Sequence, residues 1–126
     1  LYDAMGVSIN ELRKKVAESD RVLVTVVTDG YENASREYSG KAIKALVDEL
    51  KEKGWVFAYI GANQDVEAVA ATMSITNAMS FEATIDGTIA MSKKLETARN
   101  RLFSAFKSEC YSAEDANTNF FKDLDF

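Results

Sequence analysis

Two short apolar runs, separated by a helical pattern, constrain the fold of this chain more than any other feature of its sequence. The run Val22–Thr28 reads VLVTVVT, and the run Trp55–Ile60 reads WVFAYI. Both runs are apolar on their two alternating faces, which is typical of parallel strands covered by helices on both sides. Because parallel strands need a long crossover connection, the segment between the two runs is expected to hold a helix.

Helical periodicity is present in the segments before and after the first run. The spacing of Met5, Ile9, Leu12 and Val16 predicts an amphipathic helix over Asp3–Glu18. The second helix is predicted from its buried stripe, its N-cap and the glycine that closes it. These residues are Ile43, Leu46, Val47 and Leu50 for the stripe, Ser39 for the cap and Gly54 for the end.

The remaining sequence continues the alternation. A short helix that starts at Asp65 or Asn63 and contains Val66, Val69, Ala70 and Met73 is predicted next. A weak strand over Ala78–Phe81 and a long helix over Ile85–Ser108 follow. One face of the long helix is expected to contain Ile85, Ile89, Ser92, Leu95, Arg99, Leu102 and Phe106. The segment Tyr111–Phe126 is acidic and aromatic, and it fits either an ordered tail that docks its aromatic rings or a linker. Alternating helices and strands predict an α/β fold with a parallel sheet and helices on both faces.

Composition narrows the possible functions. The 126 residues fit one domain, and the net charge of −5 argues against general nucleic-acid binding but is compatible with a cation partner. Histidine is absent, and the single cysteine, Cys110, cannot form an intramolecular disulfide. No apolar run is long enough to predict a membrane span, and no signal peptide is visible. The compartment stays open, with the cytoplasm favoured and export of a longer parent protein as the alternative.

Polar side chains follow both predicted strands at their carboxyl ends. In open α/β sheets this edge is where ligands bind, and hard cations such as Mg²⁺ take oxygen ligands. The alternative is that Asp29-Gly30 is turn chemistry and Asp65 is a helix cap. From spacing alone, the turn is favoured over a functional carboxylate. The first cluster contains Thr28, Asp29, Gly30, Glu32 and Asn33, and the second contains Asn63, Gln64 and Asp65.

Three pieces of the sequence, in this order, resemble the von Willebrand factor type A (vWA) family, and most closely its bacterial and phage-encoded members. They are LYDAMG at Leu1–Gly6, VLVTVVTDGYENAS at Val22–Ser35 and GWVFAYIGANQD at Gly54–Asp65. The resemblance covers roughly Leu1–Phe106 and implies a Rossmann-like, doubly wound, mostly parallel sheet flanked by helices. It also implies a metal-ion-dependent adhesion site that binds Mg²⁺ or Mn²⁺ and a carboxylate of a protein partner.

The resemblance carries only one metal ligand over to this chain. Asp29 matches the aspartate of the family's third metal-binding loop, whereas the Asp-x-Ser-x-Ser loop and the threonine of the second loop would lie upstream of Leu1. Residues 1–110 are therefore expected to be the C-terminal part of a vWA domain, with 111–126 as a tail. Metal binding by this part alone is expected to be weak or absent. The rim of the site would be formed by Tyr2, Asp3, Thr28, Gly30, Glu32 and Asn33.

The resemblance favours a non-enzymatic module that binds a protein. The alternative is a Mg²⁺-dependent phosphoryl-transfer enzyme or a phospho-acceptor domain, in which Asp29 would act together with a second acid and a lysine that the sequence does not place. A third option is an interaction scaffold that uses no metal. If the first strands of the domain are missing, Val22–Thr28 becomes an exposed sheet edge. A homodimer through this strand is then expected, formed either edge to edge or by exchange of an element.

Overall fold

The computed structural model describes residues 1–28, 37–62 and 65–124. In these ranges helices and strands alternate along the chain as the sequence predicts, and a further helix follows the last predicted one. The elements are α1 (Tyr2–Arg13), β1 (Leu23–Thr28), α2 (Gly40–Glu52), β2 (Val56–Ala62), α3 (Val66–Ala71), β3 (Asn77–Phe81), α4 (Ile85–Ala105) and α5 (Ala113–Asn119).

The three strands form one parallel sheet in the order β1-β2-β3. β1 pairs with β2 from Leu23 opposite Val56 to Thr28 opposite Gly61, without a bulge. β2 pairs with β3 from Ala58 opposite Asn77 onward. The predicted α/β class with a parallel sheet flanked by helices is confirmed, and this architecture is compatible with a Rossmann-like fold.

The core lies on both faces of the sheet, because alternate residues of β2 point to opposite sides. Phe57 and Tyr59 pack in a cluster with apolar residues of α1, α2 and α3. Val56 and Ala58 pack in a second cluster with α4 and α5. Every residue of β2 is buried, which explains why its sequence is apolar without interruption.

The predicted caps are confirmed where the structure describes them. The Ser39 hydroxyl accepts a hydrogen bond from the Ala42 amide at 3.1 Å, and Asp65 caps α3 through the Ala68 amide. Gly54 has a φ of +90°, a left-handed conformation that glycine adopts without strain.

The end predicted for the first helix is wrong. α1 ends at Arg13 instead of continuing to Glu18. The reason lies in a turn that follows it, where the Asp20 carboxylate accepts a hydrogen bond from the Ala17 amide and the Asp20 amide donates to the Ala17 carbonyl. Such side-chain bonds to the backbone compete with helix formation. Val16 still packs against the first cluster, so its apolar character reflects burial outside the helix.

The face predicted for the long helix is also wrong in its first half. Met91, Ala98 and Leu102 are the buried residues of α4, whereas Ile85 is 81% exposed and Ile89 is 49% exposed. The buried side chains of the helix therefore begin at Met91, after its first exposed turns. Its first turns present apolar side chains that the described residues leave uncovered.

The segment after Ser108 docks on the sheet. Phe120 is buried in the second cluster, and Tyr111 and Phe121 pack against that cluster. Of the two alternatives for this segment, docking of its aromatic residues is what the structure describes as far as residue 124.

Candidate functional site

The carboxyl end of β1 is where the sequence places the first cluster of candidate site residues. Thr28 is the last residue of β1, and among the described residues β1 has a single neighbouring strand, β2. The predicted site residues Asp29, Gly30, Glu32 and Asn33 follow it directly, and they lie outside the described residues, as do Asn63 and Gln64.

The Asp3 side chain is hydrogen-bonded to the segment that directly precedes α2. Asp3 lies in the first turn of α1, and its Oδ1 accepts hydrogen bonds from the Glu37 amide at 2.9 Å and the Tyr38 amide at 2.8 Å. A carboxylate that accepts two backbone N–H groups forms strong, charge-assisted bonds. Asp3 thus fixes the position of the residues immediately after segment 29–36.

The Tyr38 side chain also contacts α1, at two further positions. The Asn10 amide nitrogen donates to the Tyr38 hydroxyl at 2.8 Å. The Tyr38 ring lies so close to Gly6 that a Cβ placed there would be 2.5 Å from three of its ring atoms. Tyr2 similarly lies beside Gly40, where a Cβ would be 3.2 Å from the Tyr2 hydroxyl. At both positions, an aromatic side chain of one segment therefore packs against the backbone of a glycine in the other.

The sequence prediction names Tyr2 and Asp3 but not Tyr38, Asn10 or Gly6, which contact α1 or belong to it. The available signal was Gly6, because a glycine inside a helix costs about 1 kcal/mol relative to alanine and often marks a close approach of another group. Nothing in the local sequence identifies Tyr38 as that group, since 31 residues separate the two in the chain.

A groove opens on the other side of Thr28, between the end of β1 and the start of α4. Its volume is about 880 Å³. Val27, which is 50% exposed, contributes to it together with the exposed first turns of α4. We call it the β1–α4 groove, and it is lined chiefly by Val27, Thr28, Phe81, Ile85, Thr88 and Ile89.

A second open pocket lies near the carboxyl end of β3. Asp65, Glu82, Asp86 and Lys94 contribute the charged groups of its lining. No group of three or more potential metal-ligating side chains is close enough to hold a metal ion in the described ranges 1–28, 37–62 and 65–124. These acids are thus dispersed, and Asp65 is engaged as the cap of α3.

Comparisons of the chain with protein-family models, with curated proteins and with solved structures found no match. Among the described residues, no helix combines the length and apolar character needed to cross a membrane.

Proposed function

We propose that this chain is part of a vWA-type binding module. In its complete form the module binds Mg²⁺ or Mn²⁺ at a metal-ion-dependent adhesion site, with Asp29 as one ligand, and engages a carboxylate of a protein partner. The module is not an enzyme. The remaining ligands, an Asp-x-Ser-x-Ser loop and a threonine, belong to chain that precedes Leu1 in the parent protein.

One observation carries this proposal. Asp3 of the piece LYDAMG binds the Glu37 and Tyr38 amides, which follow the piece VLVTVVTDGYENAS closely in the chain, and this supports a common site for the two pieces. Thr28 stands at the carboxyl end of a parallel strand, where open α/β sheets bind ligands. Asp29 follows it directly in sequence.

The position of β1 at an edge of the described sheet supports the proposal further. In the family, the strand that carries the Asp-x-Ser-x-Ser loop would pair beside β1 and bring its ligands next to Asp29. β1 has β2 on one side and no strand on the other among the described residues. The β1–α4 groove lies on the same side and offers uncovered apolar surface for a covering helix.

In this arrangement Asp3 is a positioning residue. Its carboxylate accepts two backbone amides, so it holds the chain that leaves the metal loop and does not need to reach the metal. Thr28 and Tyr2 lie at the rim, where a partner's side chains would approach. Asp65 is assigned to helix capping.

The coding sequence upstream of Leu1 tests the proposal at little cost. Over roughly 60 to 100 codons, a span set by typical domain size, it should encode Asp-x-Ser-x-Ser and a threonine just before Leu1. Titration calorimetry of the 126-residue chain with Mg²⁺ should show no micromolar binding, because Asp29 and water offer too few fixed ligands. Micromolar affinity of this chain for Mg²⁺, or an upstream sequence without these ligands, would overturn the proposal.

A further inference from the structure

We propose that two copies of this 126-residue chain pair through β1, antiparallel, around a two-fold axis that passes beside Thr25. The proposal concerns the edge of the sheet and does not depend on the metal site. It adds a register to the expectation of a homodimer, so that individual residue pairs can be tested.

The hydrogen bonds between β1 and β2 determine which peptide groups of β1 point outward, where another strand could pair with them. Val56 lies opposite Leu23, and its amide donates to the Val22 carbonyl at 2.9 Å. In a parallel ladder this places the peptide groups of the even-numbered residues toward β2. The N–H and C=O groups of Leu23, Thr25 and Val27 therefore point away from β2, along the outer edge.

These three residues are arranged symmetrically about Thr25, so a reversed copy of the same strand matches them. When Thr25 lies opposite Thr25 of the second copy, Leu23 lies opposite Val27 and Val27 opposite Leu23. Each such pair exchanges two backbone bonds, which gives about six in total. A register centred on Val26 would bring only Thr25 and Val27 into such pairs within the strand.

The side chains of these residues favour the same register. A two-fold axis perpendicular to the sheet keeps the same face of both copies on one side. Leu23 packs with the α4–α5 cluster, so alternation puts Thr25 and Val27 on that face as well. Val27, now half exposed beside the β1–α4 groove, would be covered by Leu23 of the second copy.

A second copy fits this edge because nothing on the edge opposes self-pairing. Monomeric proteins protect edge strands with charged residues, prolines or bulges. β1 has no charged residue and no proline, and its pairing with β2 is continuous. Despite the net charge of −5, no like charges would therefore meet along the paired strands.

The size of the interface predicts reversible association. A strand of this length extends for about 20 Å, and a stable interface buries roughly 800 Å² on each partner. Strand pairing alone falls short of that area, and the apolar groove beside Val27 adds to it. We therefore expect a dimer that forms as the concentration rises.

Cysteine cross-linking tests both the dimer and its register. In a Cys110→Ser background, Thr25→Cys should form a disulfide-linked dimer on mild oxidation. Cα atoms of directly opposed residues in such pairs are about 5.5 Å apart, within the range that a disulfide spans. Val27→Cys is the matched control, because it lies on the same face and is half exposed, yet its copies are separated by about 13 Å in this register.

Sedimentation of the unmodified chain completes the test. Its mass should approach twice the 13.9 kDa of a single chain as the concentration rises. A monomer at the highest concentration would overturn the proposal, and so would cross-linking of Val27→Cys equal to or greater than that of Thr25→Cys. Neither result would affect the proposed metal site.

Discussion

At the scale of single residues, the side chains of Asn77 and Asn117 bind the peptide groups of Phe57 near the start of β2. The Phe57 amide donates to Asn117 Oδ1 at 2.9 Å, and the Phe57 carbonyl accepts from Asn77 Nδ2 at 3.0 Å. Asn77 also donates to the Ala116 carbonyl and accepts from the Phe120 amide. Asn117, which belongs to α5, also donates to the Ala113 carbonyl. Since buried polar groups are costly without partners, these amides hold α5 to the sheet.

Asn117→Ala should therefore destabilise the fold strongly. It leaves the Phe57 amide and the Trp55 carbonyl without the side chain that binds them. We expect a loss of about 2–4 kcal/mol in the free energy of unfolding, measured by urea denaturation. Thr118→Ala, at an exposed position on the same helix, is the control and should change stability by less than about 0.5 kcal/mol. Equal effects of the two variants would contradict the role given to Asn117.

Tyr111 shows the opposite situation, a buried hydroxyl without a partner among the described residues. Burial raises the pKa of this hydroxyl above its ordinary value of 10.0, while Arg21 acts in the opposite direction. Because the pKa of this hydroxyl is higher in the folded state than in the unfolded chain, the stability that depends on its protonated form is fully present below pH 10. It is lost as the pH rises through the folded-state pKa.

Tyr111→Phe should remove the cost of the orphaned hydroxyl and keep the ring beneath Arg21, whose guanidinium lies 4.4 Å from the ring centre. We expect the variant to be more stable near neutral pH by up to about 1 kcal/mol. In thermal melts, the difference should widen above pH 10, where only the parent chain has this hydroxyl to ionise. A less stable variant across the whole range would show that the hydroxyl has a partner.

At the scale of the helices, α1 is joined to the start of α2 by the contact between Gly6 and Tyr38. Alanine is favoured over glycine in a helix by about 1 kcal/mol, but here a Cβ would collide with the Tyr38 ring. Overpacking of this kind costs typically about 1–3 kcal/mol. The contact decides how closely α1 approaches the chain that returns from β1.

Gly6→Ala should consequently destabilise the protein by about 1 kcal/mol, despite the better helix propensity. In a Tyr38→Ala background the collision is gone, and the same substitution should become stabilising. A double-mutant cycle of unfolding free energies measures this change of sign. Additive effects of the two substitutions would mean that Gly6 and Tyr38 do not interact.

The strengths and failures of sequence reasoning also lie at this scale. Periodicity located β1, β2, β3 and four of the helices, because burial on one or two faces leaves a pattern in local sequence. It missed α5, whose sequence AEDANTN is polar and short, and which is held by buried amides. It misjudged Ile85 and Ile89, since a helix that extends past the sheet can be apolar without being covered.

The candidate site was only partly predictable for a related reason. The resemblance predicts Tyr2, Asp3 and Thr28 as rim residues, and the structure shows Asp3 in contact with the Glu37 and Tyr38 amides. That contact joins residues 34 and 35 positions apart in the chain. Only the tertiary approach of α1 to α2 creates it, so no local pattern contains it.

At the scale of the whole molecule, β1 and β3 form the two edges of the sheet as far as the structure describes the chain. The β1 edge is apolar and uncharged, and it lies next to the β1–α4 groove. A strand supplied by a longer parent protein and a second copy of this chain would compete for the same edge. The behaviour of the 126-residue chain in solution is therefore expected to depend on what covers β1.

Charges of opposite sign introduced at Thr25 test whether association depends on the β1 edge. Thr25→Lys and Thr25→Glu should each be monomeric in sedimentation, because like charges directly opposite each other across paired strands are destabilising. Mixing the two variants should restore a dimer. Thr97→Lys, on the exposed side of α4, controls for the change in net charge and should leave association unchanged. Monomers in the mixture would contradict a pairing of Thr25 with itself.

The proposed metal site is tested most directly by Mn²⁺ binding to the proposed longer parent protein, measured by electron paramagnetic resonance. The account predicts that this protein binds Mn²⁺ and that Asp29→Ala weakens its affinity by about tenfold or more. Asp65→Ala should leave the affinity unchanged, since Asp65 caps α3. Unchanged binding by Asp29→Ala, or no Mn²⁺ binding by the parent protein, would contradict the proposed function.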